Sequence, residues 1–207
     1  MKLPLLALLA ASALASPALA QSKGDFTLGL GLGYVDPKSD NGTLNGGGLG
    51  LLPIEVGSNV RPTLTFEYFV MDNLGLEVLA ATPFEHDIKV KGVGKIGSTK
   101  HLPPTVSLNY HFAGMGKFAP FLGAGLNYTV FFSERTTGPI AGSNLRLEDS
   151  FGVALHAGFD YWLTDSSALR ADVRWMDIDT DVKLNGTKIG TVEIDPAVVG
   201  VSYIMKF

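Results

Sequence analysis

The chain is predicted to be all-β, an eight-stranded antiparallel transmembrane barrel of the outer-membrane type, on three observations. Apolar residues recur with a period of two rather than 3.6 through most of the sequence. Only 17% of the 207 residues are charged while 46% are hydrophobic, against about 25% charged in a soluble domain. Beyond the first twenty residues, however, no run of about 18 apolar residues offers a membrane helix. The 25 glycines reinforce the strand reading, since each disfavours a helix by roughly 1 kcal/mol relative to Ala.

Residues 1–20 read as a signal peptide. Lys2 supplies the positive start, Leu3 to Ala15 the apolar core, and Ala18-Leu19-Ala20 a small-residue cleavage site before Gln21. Residues 21–207 form the expected barrel domain. Its first strand alternates Phe26, Leu28, Leu30, Leu32 and Tyr34 with Gly29, Gly31 and Gly33. The second alternates Leu64, Phe66, Tyr68 and Val70 with Thr65, Glu67 and Phe69. Leu74, Leu76 and Val78 mark the third, and Val106, Leu108, Tyr110 and Phe112 the fourth. The fifth runs from Leu122 to Phe132, the sixth from Phe151 to Tyr161, the seventh from Leu169 to Trp175 and the eighth from Val199 to Phe207. Short turns fall near 71–73, 113–117 and 163–167. Longer segments fall near 36–61, 84–104, 133–149 and 179–195 and are expected to be four extracellular loops. Short connections on one side and long ones on the other are how outer-membrane barrels are joined, and closure leaves no backbone polar group facing lipid.

A lipocalin-like soluble barrel is the rival, with apolar residues turned inward. The parity opposes it: bulky aromatics share the apolar face, whereas Gly, Thr and charges of both signs share the other. The C-terminal Tyr203, Met205 and Phe207 resemble the signal read by the outer-membrane assembly machinery. With no cysteine, disulfides, thiolate metal sites and Cys nucleophiles are excluded. The net charge of −4 lacks the basic surface that nucleic-acid binding needs.

Parity and turn positions together assign the lumen. Towards the short turns it receives Glu67, Glu77, His111, His156, Asp160, Arg170, Asp172 and Arg174. Unpaired charges in a narrow lumen are very costly, so these form either a salt-bridged plug or a proton or ion path. Towards the long segments it receives Leu79, Ala81, Phe131, Ala154, Met176 and Val198. That lining suits a small apolar ligand or a simply packed core. Pro62, Pro83, Pro103 and Pro104 fall at the long-loop ends of the second to fourth strands. Proline donates no ladder hydrogen bond, so these residues either end strands or mark a wall that opens sideways to lipid.

Several motifs fail on inspection. The Gly-rich stretches lie inside strands with no helix to follow, so they are not phosphate loops. Asn-Gly-Thr at Asn41 and Asn185 is read as a turn. Asp177, Asp179 and Asp181 imitate the start of a calcium loop, but Val182 stands where Gly is required and Lys188 where the bidentate Glu belongs. Ser107 and His111 lie about 13 Å apart along a strand, too far for a nucleophile–base pair. No enzyme, cofactor or metal is expected. The expected partners are the bilayer and a small hydrophobic ligand, and a closed barrel needs no second copy, so a monomer is expected.

Asn73 to Ile88, Lys100-His-Leu-Pro-Pro-Thr105, Pro120 to Tyr128 and Met176-Asp-Ile-Asp-Thr180 resemble the OmpW family of outer-membrane proteins. The resemblance covers essentially all of residues 21–207. It implies an eight-stranded barrel with a hydrophobic channel closed towards the periplasm, releasing small apolar molecules laterally. It also admits a structural role, or one as a phage or colicin receptor or stress-response protein. It further implies a bulky aromatic in the channel near Arg174, where the adjacent Trp175 has lipid-facing parity.

Overall fold

The computed structural model describes residues 21–46, 50–113 and 115–207. The proposed signal segment lies outside the described residues. Fifteen strands are present among them: β1 (Phe26–Asp36), β2 (Thr43–Asn45), β3 (Leu51–Val56), β4 (Asn59–Met71), β5 (Leu74–Ala81), β6 (Phe84–Val90), β7 (Gly94–Leu102), β8 (Thr105–His111), β9 (Phe118–Thr136), β10 (Leu145–Leu147), β11 (Ser150–Thr164), β12 (Ser167–Met176), β13 (Asp179–Leu184), β14 (Thr187–Glu193) and β15 (Ala197–Lys206).

Eight of them close a barrel. β1 pairs antiparallel with β4, and the ladder continues through β5, β8, β9, β11, β12 and β15. It closes where β15 returns to β1 over ten residue pairs, Thr27↔Lys206 to Asp36↔Ala197. The closed ring of eight strands leaves no free sheet edge to face lipid. The outer face is apolar: Leu30 is 53% exposed and Leu126 52%. Tyr34, Tyr128, Phe151 and Trp175 ring one end, and Phe26, Tyr68, Tyr110, Phe118, Tyr161, Tyr203 and Phe207 the other. From Phe26 to Tyr34 is eight strand steps of about 3.3 Å, the span of an apolar band between two aromatic girdles.

The long connections differ from the expected loops. They carry strands of their own, ordered β10-β13-β14-β2-β3-β6-β7, and β7 joins the upper part of β9. These strands form a crown standing on the barrel. Turn chemistry builds it locally: Asn185 and Gly186 both have positive φ, 52° and 85°. That is the backbone of the tight hairpin turn that Asn-Gly favours, here joining β13 to β14. Asn41 lies buried at the crown's base. Its Nδ2 donates to the Glu193 carbonyl at 2.8 Å, and its Oδ1 accepts from Val56 N at 2.9 Å.

Pro62 does not end a strand. It sits inside β4 opposite Leu32, and its carbonyl accepts a hydrogen bond from Thr82 N at 3.2 Å. Phe69 turns inward and is fully buried, and a bulge between Phe69 and Met71 ends the β4 alternation.

Candidate functional site

The lower lumen is filled by one charged network, and small residues make room for it. A Cβ on Gly75 would lie 2.3 Å from Glu67 Oε1, and one on Gly123 would lie 2.0 Å from Asn109 Oδ1. Arg170 is the hub. Its Nε and Nη2 grip Asp160 at 2.7 and 3.0 Å, its Nη1 donates to Glu77 at 2.7 Å and its Nη2 to Glu67 at 3.2 Å. Such forked, charge-assisted bonds are the strong ones. Arg174 donates to the other Glu77 oxygen at 2.6 Å and lies 3.3 Å from Asp172. His156 Nε2 is 3.0 Å from Asp172, and His111 Nε2 is 2.9 Å from Glu67. All eight sequence-assigned residues of the lower lumen therefore meet, and Asn109 and Gln21 join them. The void beside Arg170, Asp172 and Arg174 measures about 20 Å³, room for about one water.

Trp175 is 40% exposed and faces outward, so the aromatic within the charged layer is another residue. Phe121 is fully buried, with the Arg170 guanidinium 4.5 Å above its ring. Sequence alternation missed it because β9 begins among Phe118, Ala119 and Pro120, where no clean period of two is visible.

Above the charges the lumen turns apolar. Val35, Phe84, Phe131, Ala154, Met176, Ile178 and Val198 belong to one buried cluster that continues into the crown through Ile88, Val90, Leu147, Val182 and Ile194. Ala81 packs against it, and Leu79 is buried beside the small void near Arg174. A cavity of about 520 Å³ opens within the crown, walled by Leu44, Ile96, Leu145, Val192 and their neighbours. Of the six apolar residues singled out in the sequence, Phe131 reaches it and the others pack below. The crown residues that wall it were hidden in segments read as loops, although Phe84, His86, Ile88 and Val90 alternate with Glu85, Asp87 and Lys89.

The wall is interrupted at one seam. β5 pairs with β8 up to Leu79↔Thr105, and pairing resumes between β6 and β7 at Phe84↔His101. Residues 80–83 on one side and 102–104 on the other have no ladder partner across this seam, and Pro83, Pro103 and Pro104 lie in it.

Near the crown's base, carboxylate oxygens of Asp177, Asp179 and Asp195 lie within 4.8 Å of one another. Asp181 is not among them; it pairs with Lys188 at 2.6 Å and accepts from Thr191 at 2.8 Å. The Lys38 ammonium hydrogen-bonds Asp195 at 2.9 Å as well as Glu193, and these bonds raise its pKa. Burial, followed by the charges of Asp195 and Asp177, pushes the Asp179 carboxyl up.

The sequence signature of the OmpW family matches residues 22–207. The chain belongs to the OmpW family. Outer membrane protein W of Vibrio cholerae serotype O1 is 42% identical over 215 residues, covering 98% of this chain and 97% of the relative. The crystal structure of OprG from Pseudomonas aeruginosa superposes with a TM-score of 0.79 at 34% identity, over 91% of this chain and 98% of OprG. The solution structure of Escherichia coli Outer Membrane Protein W gives a TM-score of 0.65 at 37% identity, over 90% and 99% of the two chains. As an OmpW-family barrel, the protein resides in the outer membrane of a Gram-negative bacterium, with its apolar outer band in the bilayer.

Proposed function

We propose that the protein conducts small hydrophobic molecules from the crown cavity into the apolar upper lumen and releases them sideways into the membrane. The observation that carries this reading is the cavity of about 520 Å³ standing over a continuous apolar column. Pockets of this size and lining hold small apolar ligands. Beneath the column, the network centred on Arg170 closes the way down, because a neutral apolar molecule would have to break several buried ion pairs to pass. The seam flanked by Pro83, Pro103 and Pro104 is the exit. The crown faces outward in this reading. Residues 1–20 direct export, and Tyr203, Met205 and Phe207 present the assembly signal.

The test is uptake of an alkane or small aromatic by cells or proteoliposomes carrying the barrel. Leu145→Trp fills the cavity and Met176→Trp fills the column; both are expected to cut uptake about tenfold or more. Full uptake in both folded variants would overturn conduction and leave the barrel as a scaffold or receptor displaying its crown.

A further inference from the structure

The cavity wall is apolar except at a few places, and the most deeply buried of these is a pair of histidines. His86 on β6 and His101 on β7 both line the cavity, and each is only 2% exposed. Their rings stack 4.9 Å apart at an interplanar angle of 7°. Phe84 and Phe131 stand 5.5 and 5.6 Å from the His101 ring. The surroundings are those of an aromatic cluster, in which a phenyl ring would pack as well as an imidazole.

What distinguishes the pair is unused hydrogen-bonding capacity. The Gly57 carbonyl can only accept, so the His86 Nδ1–H donates to it. In the neutral ring, Nε2 is then an acceptor, and it has no partner. His101 Nδ1 has none either. Buried polar atoms without partners are rare and costly, and they call for an explanation. Burial holds both rings neutral: His86 titrates below its ordinary value, and His101 is pushed down to about 3 by burial and then by the neighbouring His86.

We infer that His86 Nε2, with His101 stacked beside it, is the polar anchor of the cavity and selects apolar molecules that carry one hydrogen-bond donor, such as alkanols and phenols. The inference rests on the reading of the cavity as a ligand site and adds the ligand class. A plain hydrocarbon fills the cavity but leaves Nε2 unpaired. An ether of the same shape offers no donor. A carboxylate would lose its hydration against two neutral rings, and Lys188 on the cavity lining is engaged by Asp181.

The experiment uses the full barrel in detergent micelles with 15N-labelled histidine, titrated at neutral pH with 1-octanol, heptyl methyl ether and n-nonane. The crown lies beyond the membrane band, so its histidine signals read bound ligand rather than ligand dissolved in the micelle. Octanol is expected to shift the His86 Nε2 resonance saturably, as a lone pair acquiring a donor, and to bind about tenfold more tightly than the ether, the worth of one well-made hydrogen bond. In His86→Phe the octanol and ether affinities are expected to become equal while nonane binding is kept. Equal affinities in the native protein, or a His86 resonance that octanol leaves unmoved, would overturn the anchor while leaving the cavity a ligand site. Absence of binding by all three would overturn the cavity reading together with the anchor. Should His86→Phe fail to fold, the native resonance and affinities decide the matter alone.

Discussion

Arg170 concentrates the residue-scale physics of this barrel. It contacts Asp160, Glu77 and Glu67 at once, and its ring neighbour is Phe121. Arg170→Leu keeps the apolar stem but leaves three buried carboxylates short of their counter-ion. Removing one partner of a buried ion pair costs about 3–5 kcal/mol, and urea unfolding in micelles followed by tryptophan fluorescence should show a loss of that order. A loss under about 1 kcal/mol would mean that the carboxylates find other partners. Gly75→Ala should act through the same network. Its new Cβ would stand 2.3 Å from Glu67 Oε1, forcing that oxygen off Asn109 and His111. The expected loss is smaller, about 1–3 kcal/mol. The charged members of this layer were legible in the sequence because charge on the Gly/Thr parity of a lipid-facing strand has nowhere to go but inward. Gln21 was not legible, since it precedes the first strand, and Phe121 was not, since Pro120 obscures the alternation around it.

At the scale of elements, the eight barrel strands were legible because lipid on one side and a filled lumen on the other enforce a strict period of two. The crown strands were not, because they are short and lie within long connections, although β6 does alternate. β2 and β10 are three residues long, too short for a period to declare itself. Register in the crown is also interrupted: β7 pairs with β9 through a shift between Ser98 and Lys100, opposite the left-handed Ser133 at φ 57°. The hairpin β6–β7 carries a pH dependence of definite sign. His86 and His101 titrate lower folded than unfolded, His101 at about 3 against an ordinary 6.5. At these two histidines the folded crown therefore binds fewer protons than the unfolded one. The stability these two groups contribute is complete above about pH 6.5 and falls below it by up to about 1.4 kcal/mol per unit for each histidine, down to about pH 3 for His101. Arg61 and Asp87, the charges nearest His86, act in opposite directions. Amide exchange at pH 7 and pH 4.5, corrected for intrinsic rates, should show lower protection of β6 and β7 at the acid pH. Equal loss in the β11 and β12 amides would place the effect in the whole molecule instead.

For the whole molecule, the decisive fact is that one closed wall encloses two unlike halves, charged below and apolar above. On the proposed reading, a neutral molecule in the upper half meets the ion pairs below it, so its release calls for a break in the wall itself. The registers on the two sides of the seam show why a break forms there. Below it, β5 and β8 pair so that continuing the ladder two residues would set Ala81 opposite Pro103. Above it, β6 and β7 pair one residue out of step with that register, at Phe84↔His101. Four residues must face three, and the prolines on both sides cannot donate to close the difference. Since the chain has no cysteine of its own, the double variant Ala81→Cys, Pro103→Cys provides a unique cross-linking pair. Bridging it with a short, cleavable bifunctional maleimide should leave ligand binding in the crown intact while cutting delivery to the bilayer about tenfold or more. Cleavage of the linker should restore delivery, and each single variant should deliver normally. Delivery that persists across the bridged seam would mean that molecules leave the upper lumen by another part of the wall, and the proline seam would then be a structural junction between barrel and crown.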